Sequence, residues 1–231
     1  KKFFLDFEYK KNRLLTIMLN YIVLPYFNLI HTYNMLQSIN ENILVYMNSF
    51  TSNDIVANVV RFMADLPIFF LPIFLITAWL CICFNKGNSS VEKSKLLLMT
   101  YTPVLAVVIN IIIQQFVHFS RPETALEWKT TLILSHIPDA SFPSDHAAVW
   151  MAFATALFLA GYKKTAWIFL PFAIMMNVSR VMVWVHWPFD VLAGSIVWIA
   201  SAFVIFRLFA ELKLVKTVNA FIIKIAALLK L

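Results

Sequence analysis

The sequence predicts an all-α integral membrane protein with six transmembrane helices and an amphipathic C-terminal helix. Of its 231 residues, 61% are hydrophobic and only 13% are charged, which is more apolar surface than a soluble domain of this length needs. Long apolar runs with only three glycines favour helices over the alternating strands of a membrane barrel. The net charge is +7, but no soluble basic domain is present, so nucleic acid is not an expected partner.

Six apolar segments are the predicted spans. In order, they are Leu14–Leu36, Leu66–Phe84, Leu96–Phe119, His146–Ala160, Ala166–Val185 and Asp190–Phe206. The first is the weakest candidate and could instead lie in the interface, because polar residues and Pro25 interrupt it. The fourth is short for a span unless its ends are buried in protein. Between the first two, Gln37–Asp65 predicts two short amphipathic helices around the helix-start signal Thr51–Asp54.

The distribution of basic residues predicts the topology. Residues 1–13 are expected to be a cytoplasmic N-terminus, 14–206 the six-span core and 207–231 a cytoplasmic tail, all within a single domain. Six spans place both termini on one side, which then carries 15 of the 19 Lys and Arg residues and is therefore cytoplasmic. The tail has an apolar face and a basic face, typical of a helix lying on an anionic lipid surface. The basic face comprises Lys213, Lys216, Lys224 and Lys230. Nothing in the sequence predicts the oligomeric state.

The segment Ser179–Asp190 joins the last two predicted spans and carries Arg180, His186 and Asp190. Charged and titratable side chains at a membrane boundary are costly and usually mark a functional site. His186 and Asp190 are four residues apart, so they can share one face of a helical turn. A carboxylate beside an imidazole fixes its tautomer and raises its basicity. The alternative interpretation is an aromatic-rich interfacial turn with a snorkelling arginine.

Two further motifs lie on the same outward-facing side, Arg121–Pro122 and Pro143–His146. Together with Ser179–Asp190 they supply what phosphoryl transfer without a metal requires. Two guanidinium groups can bind phosphoryl oxygens, and Ser144 with the amides of the following helix forms an anion site. One histidine can attack phosphorus while the other protonates the leaving oxygen. No cluster has zinc spacing and no glycine-rich loop suits a nucleotide, so neither a metal nor another cofactor is predicted.

These motifs resemble those of the type 2 phosphatidic acid phosphatase superfamily of integral-membrane lipid phosphatases. The pattern of that family is Lys-x6-Arg-Pro, Pro-Ser-Gly-His and Ser-Arg-x5-His-x3-Asp, and the six-span layout is also similar from about residue 66 to 206. The resemblance implies that His186 is the nucleophile and forms a phosphohistidine, that His146 is the general acid, and that Asp190 orients His186. It also implies a set of phosphate-binding residues, namely Arg121, Arg180 and Ser144, with Asp145 and Gln114 at the two positions where this chain departs from the pattern.

The two departures bear on the substrate. Gln114 stands where the family has lysine, so one cationic phosphate contact is missing, and this leaves open a non-catalytic lipid-phosphate binder or transporter. Asp145 replaces the family glycine, and Ser141–His146 and Val185–Leu192 resemble the variant motifs of bacterial undecaprenyl-diphosphatases. That resemblance implies a polyprenyl diphosphate substrate, a role in cell-wall lipid recycling, and a bacterial cytoplasmic membrane with the site on its periplasmic or extracellular side. Phosphatidylglycerol phosphate, phosphatidic acid and lipid A phosphate are the alternative substrates.

Overall fold

Helices account for all regular structure in the computed structural model, which describes residues 24–84, 90–126 and 141–229. The α-helices are α1 Leu24–Ser49, α2 Asp54–Asp65, α3 Phe70–Phe84, α4 Ser90–Phe116, α5 Pro122–Ala125, α6 Asp145–Leu159, α7 Lys163–Met182, α8 Pro188–Phe203 and α9 Lys213–Leu228. The predicted all-α class is therefore confirmed. The chain divides into two compact units, residues 1–43 and 44–231. The second contains the three motifs.

Four helical segments in the described part of the chain are long and apolar enough to cross a membrane. They are Asp54–Phe84, Ser90–Phe116, Lys163–Met182 and Pro188–Glu211, and they correspond to the second, third, fifth and sixth predicted spans. The fourth predicted span is α6, which has only 15 residues. The first predicted span begins outside the described residues, so the total of six remains a prediction.

Two predicted boundaries in the polar region before the second span differ from the structure. Asn53 caps α2 as the start signal predicts, because its side-chain oxygen accepts the backbone N–H groups of Ile55 and Val56 at 3.0 and 3.2 Å. The predicted short helix from Gln37 is wrong, since α1 runs unbroken from residue 24 to 49. Asn and Gln are tolerated inside helices, and only Pro or Gly would have stopped this one. The predicted span boundary at Leu66 is also too late, because a 3₁₀ turn continues α2 into α3.

Helix α6 lies at the centre of the second unit and packs against α4, α7 and α8. Ala148, Ala152 and Ala156 are fully buried, and such small side chains allow helices to approach closely where no hydrophobic effect drives them together. The ring of Trp150 stacks on that of Phe169, with 5.8 Å between centroids. A helix that is apolar on every face belongs in the interior of a bundle. The short length of α6 is therefore compatible with a position inside the bundle, and its N-terminus lies beside the motif residues.

The C-terminal helix α9 forms as predicted and packs against α4. The Tyr101 hydroxyl donates a 2.8 Å hydrogen bond to the side-chain oxygen of Asn219, which is buried on the inner face of α9. Lys216 pairs with Glu211 at 2.7 Å on the outer face. The contact of this helix with anionic lipid remains a prediction.

Candidate active site

The turn that ends α7 directs the chain toward His186. The Trp184 N–H donates to the Val181 carbonyl at 3.1 Å, and the Val185 N–H donates to the Arg180 carbonyl at 3.3 Å. These two bonds are the paired hydrogen bonds of a left-handed helix C-terminus. The left-handed position, φ 69°, is occupied by Trp184, where glycine is usual because a Cβ is strained there. The buried Trp184 ring offsets that strain by packing in the core.

The first turn of α8 fixes the carboxylate of Asp190. Pro188 is the first residue of the helix and Asp190 is the third, the usual places for a proline and for an acidic capping residue. One carboxylate oxygen, Oδ2, accepts the Trp187 N–H at 2.9 Å and also the hydroxyl of Ser141. Asp190 is buried, so these two donors hold its carboxylate in a single orientation.

His186 is buried beside this carboxylate, and its two ring nitrogens have different partners. Its Nδ1 lies 2.8 Å from the carbonyl oxygen of Ser141. A carbonyl oxygen can only accept a hydrogen bond, so Nδ1 carries the proton and Nε2 keeps its lone pair. That Nε2 faces the guanidinium of Arg121, with Nη1 at 3.4 Å. An unprotonated imidazole nitrogen beside a fixed cation is the arrangement that attack on an anionic phosphoryl group requires.

Ser141 connects Asp190 to His186, and sequence reasoning gave it no role. Asp190 Oδ2 is 3.7 Å from His186 Nδ1, which is longer than a hydrogen bond. The direct partner of the imidazole is the Ser141 carbonyl, while the Ser141 hydroxyl donates to the carboxylate. Asp190 therefore acts on His186 through Ser141 as well as by its charge. The signal for Ser141 was its place within the second motif, two residues before Pro143.

Arg121 and Ser144 line the same buried region. Arg121 starts α5, is only 5% exposed, and donates a 2.8 Å hydrogen bond from Nη1 to the Val185 carbonyl. Ser144 is the N-terminal cap of α6 and is fully buried, and its hydroxyl has no hydrogen-bond partner in the described residues. The first amides of a helix also lack internal partners and attract anions. The start of α6 thus offers a hydroxyl and amide donors within a cationic surrounding.

Gly194 allows α8 to approach the start of α6, and sequence reasoning missed it. A Cβ at Gly194 would lie 2.8 Å from the Ser144 carbonyl oxygen and 3.4 Å from its nitrogen. The Ser144 N–H itself donates to the Asp190 carbonyl at 3.2 Å. The available signal was a lone glycine within an apolar span, which often marks a close backbone approach.

Asp65 is a further residue that sequence reasoning missed. Its Oδ1 accepts a hydrogen bond from Nη1 of the buried Arg180, which also donates to the Ala64 carbonyl at 3.4 Å. The same Oδ1 lies 3.8 Å from His146 Nε2, and the side chains of His146 and Asp65 are 24% and 33% exposed. These two residues thus form the open side of an otherwise buried cluster. The available signal was its position as a charged residue just before an apolar run, since Arg180 was predicted from a similar position at a membrane boundary.

The two departures from the family pattern lie on the α4 side of the site. Asp145 accepts a 2.7 Å hydrogen bond from the Nδ2 of the buried Asn110. The Nε2 of Gln114 lies 3.5 Å from the Pro143 carbonyl oxygen, the outer limit of a hydrogen bond. Both contacts tether the segment that leads into α6. The sequence-predicted residues thus gather around one region, with Asp145 and Gln114 at its edge.

Comparison with known proteins identifies the family of this chain. The model of the PAP2 superfamily matches residues 95–213. The chain is 31% identical over 150 residues to the bacitracin transport permease protein BcrC of Bacillus licheniformis, covering 64% of this chain and 69% of that protein. It is 30% identical over 155 residues to the undecaprenyl-diphosphatase BcrC of Bacillus subtilis, covering 67% and 76%.

A solved structure shares the fold. The PAP2-type phosphatidylglycerolphosphate phosphatase of Bacillus subtilis superposes with a TM-score of 0.58 at 23% identity, over 85% of this chain and 98% of that one. The family match covers about half of the chain and includes all three motifs from Arg121 to Asp190. The chain therefore belongs to the PAP2 superfamily and is an integral-membrane phosphatase.

Proposed function

We propose that this phosphatase hydrolyses a polyprenyl diphosphate, undecaprenyl diphosphate in particular, to the monophosphate through a phosphohistidine and without a metal. The observation that carries the chemistry is the His186 tautomer, because the Ser141 carbonyl at 2.8 Å requires the proton on Nδ1 and leaves Nε2 unprotonated. The substrate assignment rests on the motif variants Ser141–His146 and Val185–Leu192 and on the relative named undecaprenyl-diphosphatase.

The first chemical step is attack on the terminal phosphorus by Nε2 of His186. A P–N bond forms as the bond between phosphorus and the bridging oxygen breaks, and the polyprenyl monophosphate departs. Nδ1 keeps its proton, and the resulting positive ring is stabilised by the Ser141 carbonyl and by the Asp190 carboxylate 3.7 Å away. Attack requires the Arg121 guanidinium, now 3.4 Å from Nε2, to bind the phosphoryl oxygens instead.

His146 acts as the proton donor and then as the base. As an imidazolium it protonates the departing bridging oxygen, and the resulting neutral ring takes a proton from water in the second step. The hydroxide forms a P–O bond, the P–N bond breaks, and inorganic phosphate leaves with His186 restored. Its position on the open side of the cluster, with 24% of the side chain exposed, suits both proton transfer and water entry.

The phosphate ligands in this proposal are Arg121, Arg180, Ser144 and the first amides of α6. Two guanidinium groups neutralise the charge that develops on the phosphoryl oxygens. The Ser144 hydroxyl, which has no partner within the described residues, is the natural donor for a third oxygen. Gln114 and Asp145 shape the segment 143–145 through their contacts at the α4 side.

The proposed location is a bacterial cytoplasmic membrane, with the site on the outer side and the lipid tail of the substrate still in the bilayer. The support is the count of 15 basic residues on the opposite side. We also propose that α9 rests on the anionic cytoplasmic leaflet through Lys213, Lys216 and Lys224. Intact cells given a membrane-impermeant short-chain diphosphate should release phosphate outside, and release only after lysis would contradict the orientation.

The test is phosphate release by detergent-purified protein, in EDTA, from undecaprenyl diphosphate and from phosphatidylglycerol phosphate side by side. His186→Ala should reduce turnover on the order of a thousandfold or more, while the matched control His118→Ala, at an exposed histidine outside the cluster, should leave it unchanged. A substrate labelled at its terminal phosphorus, quenched in alkali, should leave label on wild-type protein and none on His186→Ala.

Each outcome has a defined meaning. Preference for the polyprenyl diphosphate with loss in His186→Ala supports both substrate and mechanism. Preference for the glycerolipid keeps the mechanism and overturns the substrate. Loss of activity in EDTA overturns the metal-free reaction. Release from neither lipid favours the non-catalytic binder that Gln114 leaves open.

A further inference from the structure

We infer that Asp65 is a positioning residue of the reaction: one of its carboxylate oxygens binds the guanidinium of Arg180 and lies beside the imidazole of His146. The inference rests on the proposed function, in which Arg180 binds phosphate and His146 donates the proton. Asp65 lies at the end of α2, outside all three sequence motifs and outside residues 95–213 matched by the family model.

The contact with Arg180 determines which way the guanidinium faces. Arg180 has no exposed surface, and its Nη1 donates to the carboxylate of Asp65 and to the Ala64 carbonyl. These two acceptors occupy Nη1 and fix the plane of the group. The guanidinium carries five N–H donors in one rigid plane, so fixing Nη1 also sets the direction of the other donors. A buried guanidinium also needs an anionic partner, and removing that partner is costly.

The contact with His146 supplies the charge that a general acid needs. Nε2 of His146 lies 3.8 Å from Oδ1 of Asp65. A carboxylate at this distance favours the protonated imidazolium, the form that protonates the leaving oxygen. Asp65 is the carboxylate that the described structure records beside this ring. Other charged and titratable groups lie on the surrounding elements, namely Asp145 on α6, Arg180 on α7, Asp190 on α8, and Arg121 and His186 in the adjoining turns.

If Asp65 were only a structural counterion for Arg180, its removal would not affect protonation of the leaving group. If it is a positioning residue, its removal should slow that step. The experiment therefore compares two probe substrates in the same detergent preparation. A long-chain alkyl phosphate has a leaving alkoxide that must be protonated, and a nitrophenyl phosphate has a leaving phenolate that is stable without a proton. The proteins are wild type, His186→Ala, Asp65→Asn, Asp65→Glu and the control Asp54→Asn, which changes the exposed aspartate at the other end of α2.

Asp65→Asn should lower kcat for the alkyl phosphate by about 10- to 100-fold, less than the roughly 10²- to 10⁴-fold contribution of a general acid because His146 itself remains. For the nitrophenyl phosphate the loss should be much smaller. Asp65→Glu keeps a carboxylate and should therefore lose less activity on the alkyl phosphate than Asp65→Asn does. Asp54→Asn should match wild type on both probes.

Equal losses of kcat on the two probes would overturn the inference and leave Asp65 a counterion of Arg180. If Asp65→Asn does not fold, Asp65→Glu decides, because its displaced carboxylate should still lower kcat more for the alkyl than for the nitrophenyl phosphate. Equal losses there overturn the inference as well. Failure of the proposed function looks different: wild type would be inactive on both probes, or His186→Ala would retain activity.

Discussion

Gly194 on α8 lies against the backbone of Ser144, so closely that a Cβ at this glycine would be 2.8 Å from the Ser144 carbonyl oxygen. Ser144 begins α6 and presents the proposed phosphate-binding hydroxyl and amides. The same helix α8 carries Asp190, whose carbonyl accepts the Ser144 N–H at 3.2 Å. The close approach thus fixes the position of α8, which carries Asp190, relative to the N-terminus of α6, where the proposed anion site lies.

Gly194→Ala should therefore impair catalysis. Alanine normally stabilises a helix interior by about 1 kcal/mol over glycine, but a 2.8 Å contact with backbone oxygen cannot be relieved by a rotamer change. Forcing extra volume into a packed site costs about 1–3 kcal/mol, so the net effect is a lower Tm, together with a kcat at least about tenfold lower. The control Ala200→Leu adds volume at an exposed position of α8 and should change neither. An active, more stable Gly194→Ala would show that Ser144 moves aside without consequence.

Ser141→Ala tests the connection between Asp190 and His186. The carbonyl that accepts the His186 N–H remains, but the hydroxyl bond to the carboxylate is lost. A hydrogen bond to a charged group is worth about 1.5–3 kcal/mol, so kcat should fall about tenfold or more. KM should stay near the wild-type value because this hydroxyl is directed at Asp190 and not at a proposed phosphate ligand.

The matched control is Ser201→Ala, which removes another buried hydroxyl whose bond lies within α8 itself. It should leave both kinetic constants unchanged. A raised KM with unaltered kcat for Ser141→Ala would instead mean that the hydroxyl contacts the substrate.

The pairing of His186 with Asp190 could be predicted because the two residues are close in sequence. They are four residues apart, so their spacing alone indicates a common face. Asp65, Ser141 and the Gly194 contact act across the bundle. The bond from Arg180 to Asp65 spans 115 positions and that from His186 to Ser141 spans 45. Such separations are set by helix packing, which a linear pattern does not encode.

The fold shows the same division. For four of the six predicted spans, the described residues form helices that are long and apolar enough to cross a membrane. These could be predicted because length and hydropathy are local properties. The start of the second span was placed too late, at Leu66, since a charged residue such as Asp65 predicts a boundary when it has no known partner. Its partner Arg180 is distant in sequence, and the ion pair lets the helix continue past it through a 3₁₀ turn.

Gln114→Lys restores the cationic group of the family pattern. Gln114 Nε2 reaches the Pro143 carbonyl at 3.5 Å, and the longer lysine extends past it toward the start of α6. One partly screened charge contact is worth about 1 kcal/mol, which predicts a KM about fivefold lower, measured as phosphate release at varied substrate concentration.

Gln115→Lys is the control, because it adds the same charge at the adjacent exposed position, on another face of α4. It should leave KM unchanged. A large loss of affinity in Gln114→Lys would instead assign the amide a specific role that a cation cannot fill.

Trp184 stabilises the fold through the packing of its ring and destabilises it through its strained backbone. Two substitutions can separate these two contributions to stability. Its ring is buried in the core and its φ is 69°. Trp184→Ala and Trp184→Gly both lose the ring, a change that costs about 3–5 kcal/mol. Only glycine relieves the left-handed strain, worth about 1–2 kcal/mol. Trp184→Gly should therefore unfold at a higher temperature than Trp184→Ala in the same detergent, although in helices alanine is normally the more stabilising residue.

The control compares alanine with glycine at position 173, within regular helix, where the order of the two unfolding temperatures should be reversed. Ala173 is buried in α7, and Ala173→Gly should lower Tm because its backbone is right-handed and gains nothing from glycine. The order at Trp184 also predicts activity: the glycine variant keeps the turn and hence the position of His186, so its kcat should exceed that of the alanine variant. If Trp184→Ala proved the more stable of the two, the left-handed turn would not be what holds His186 in place.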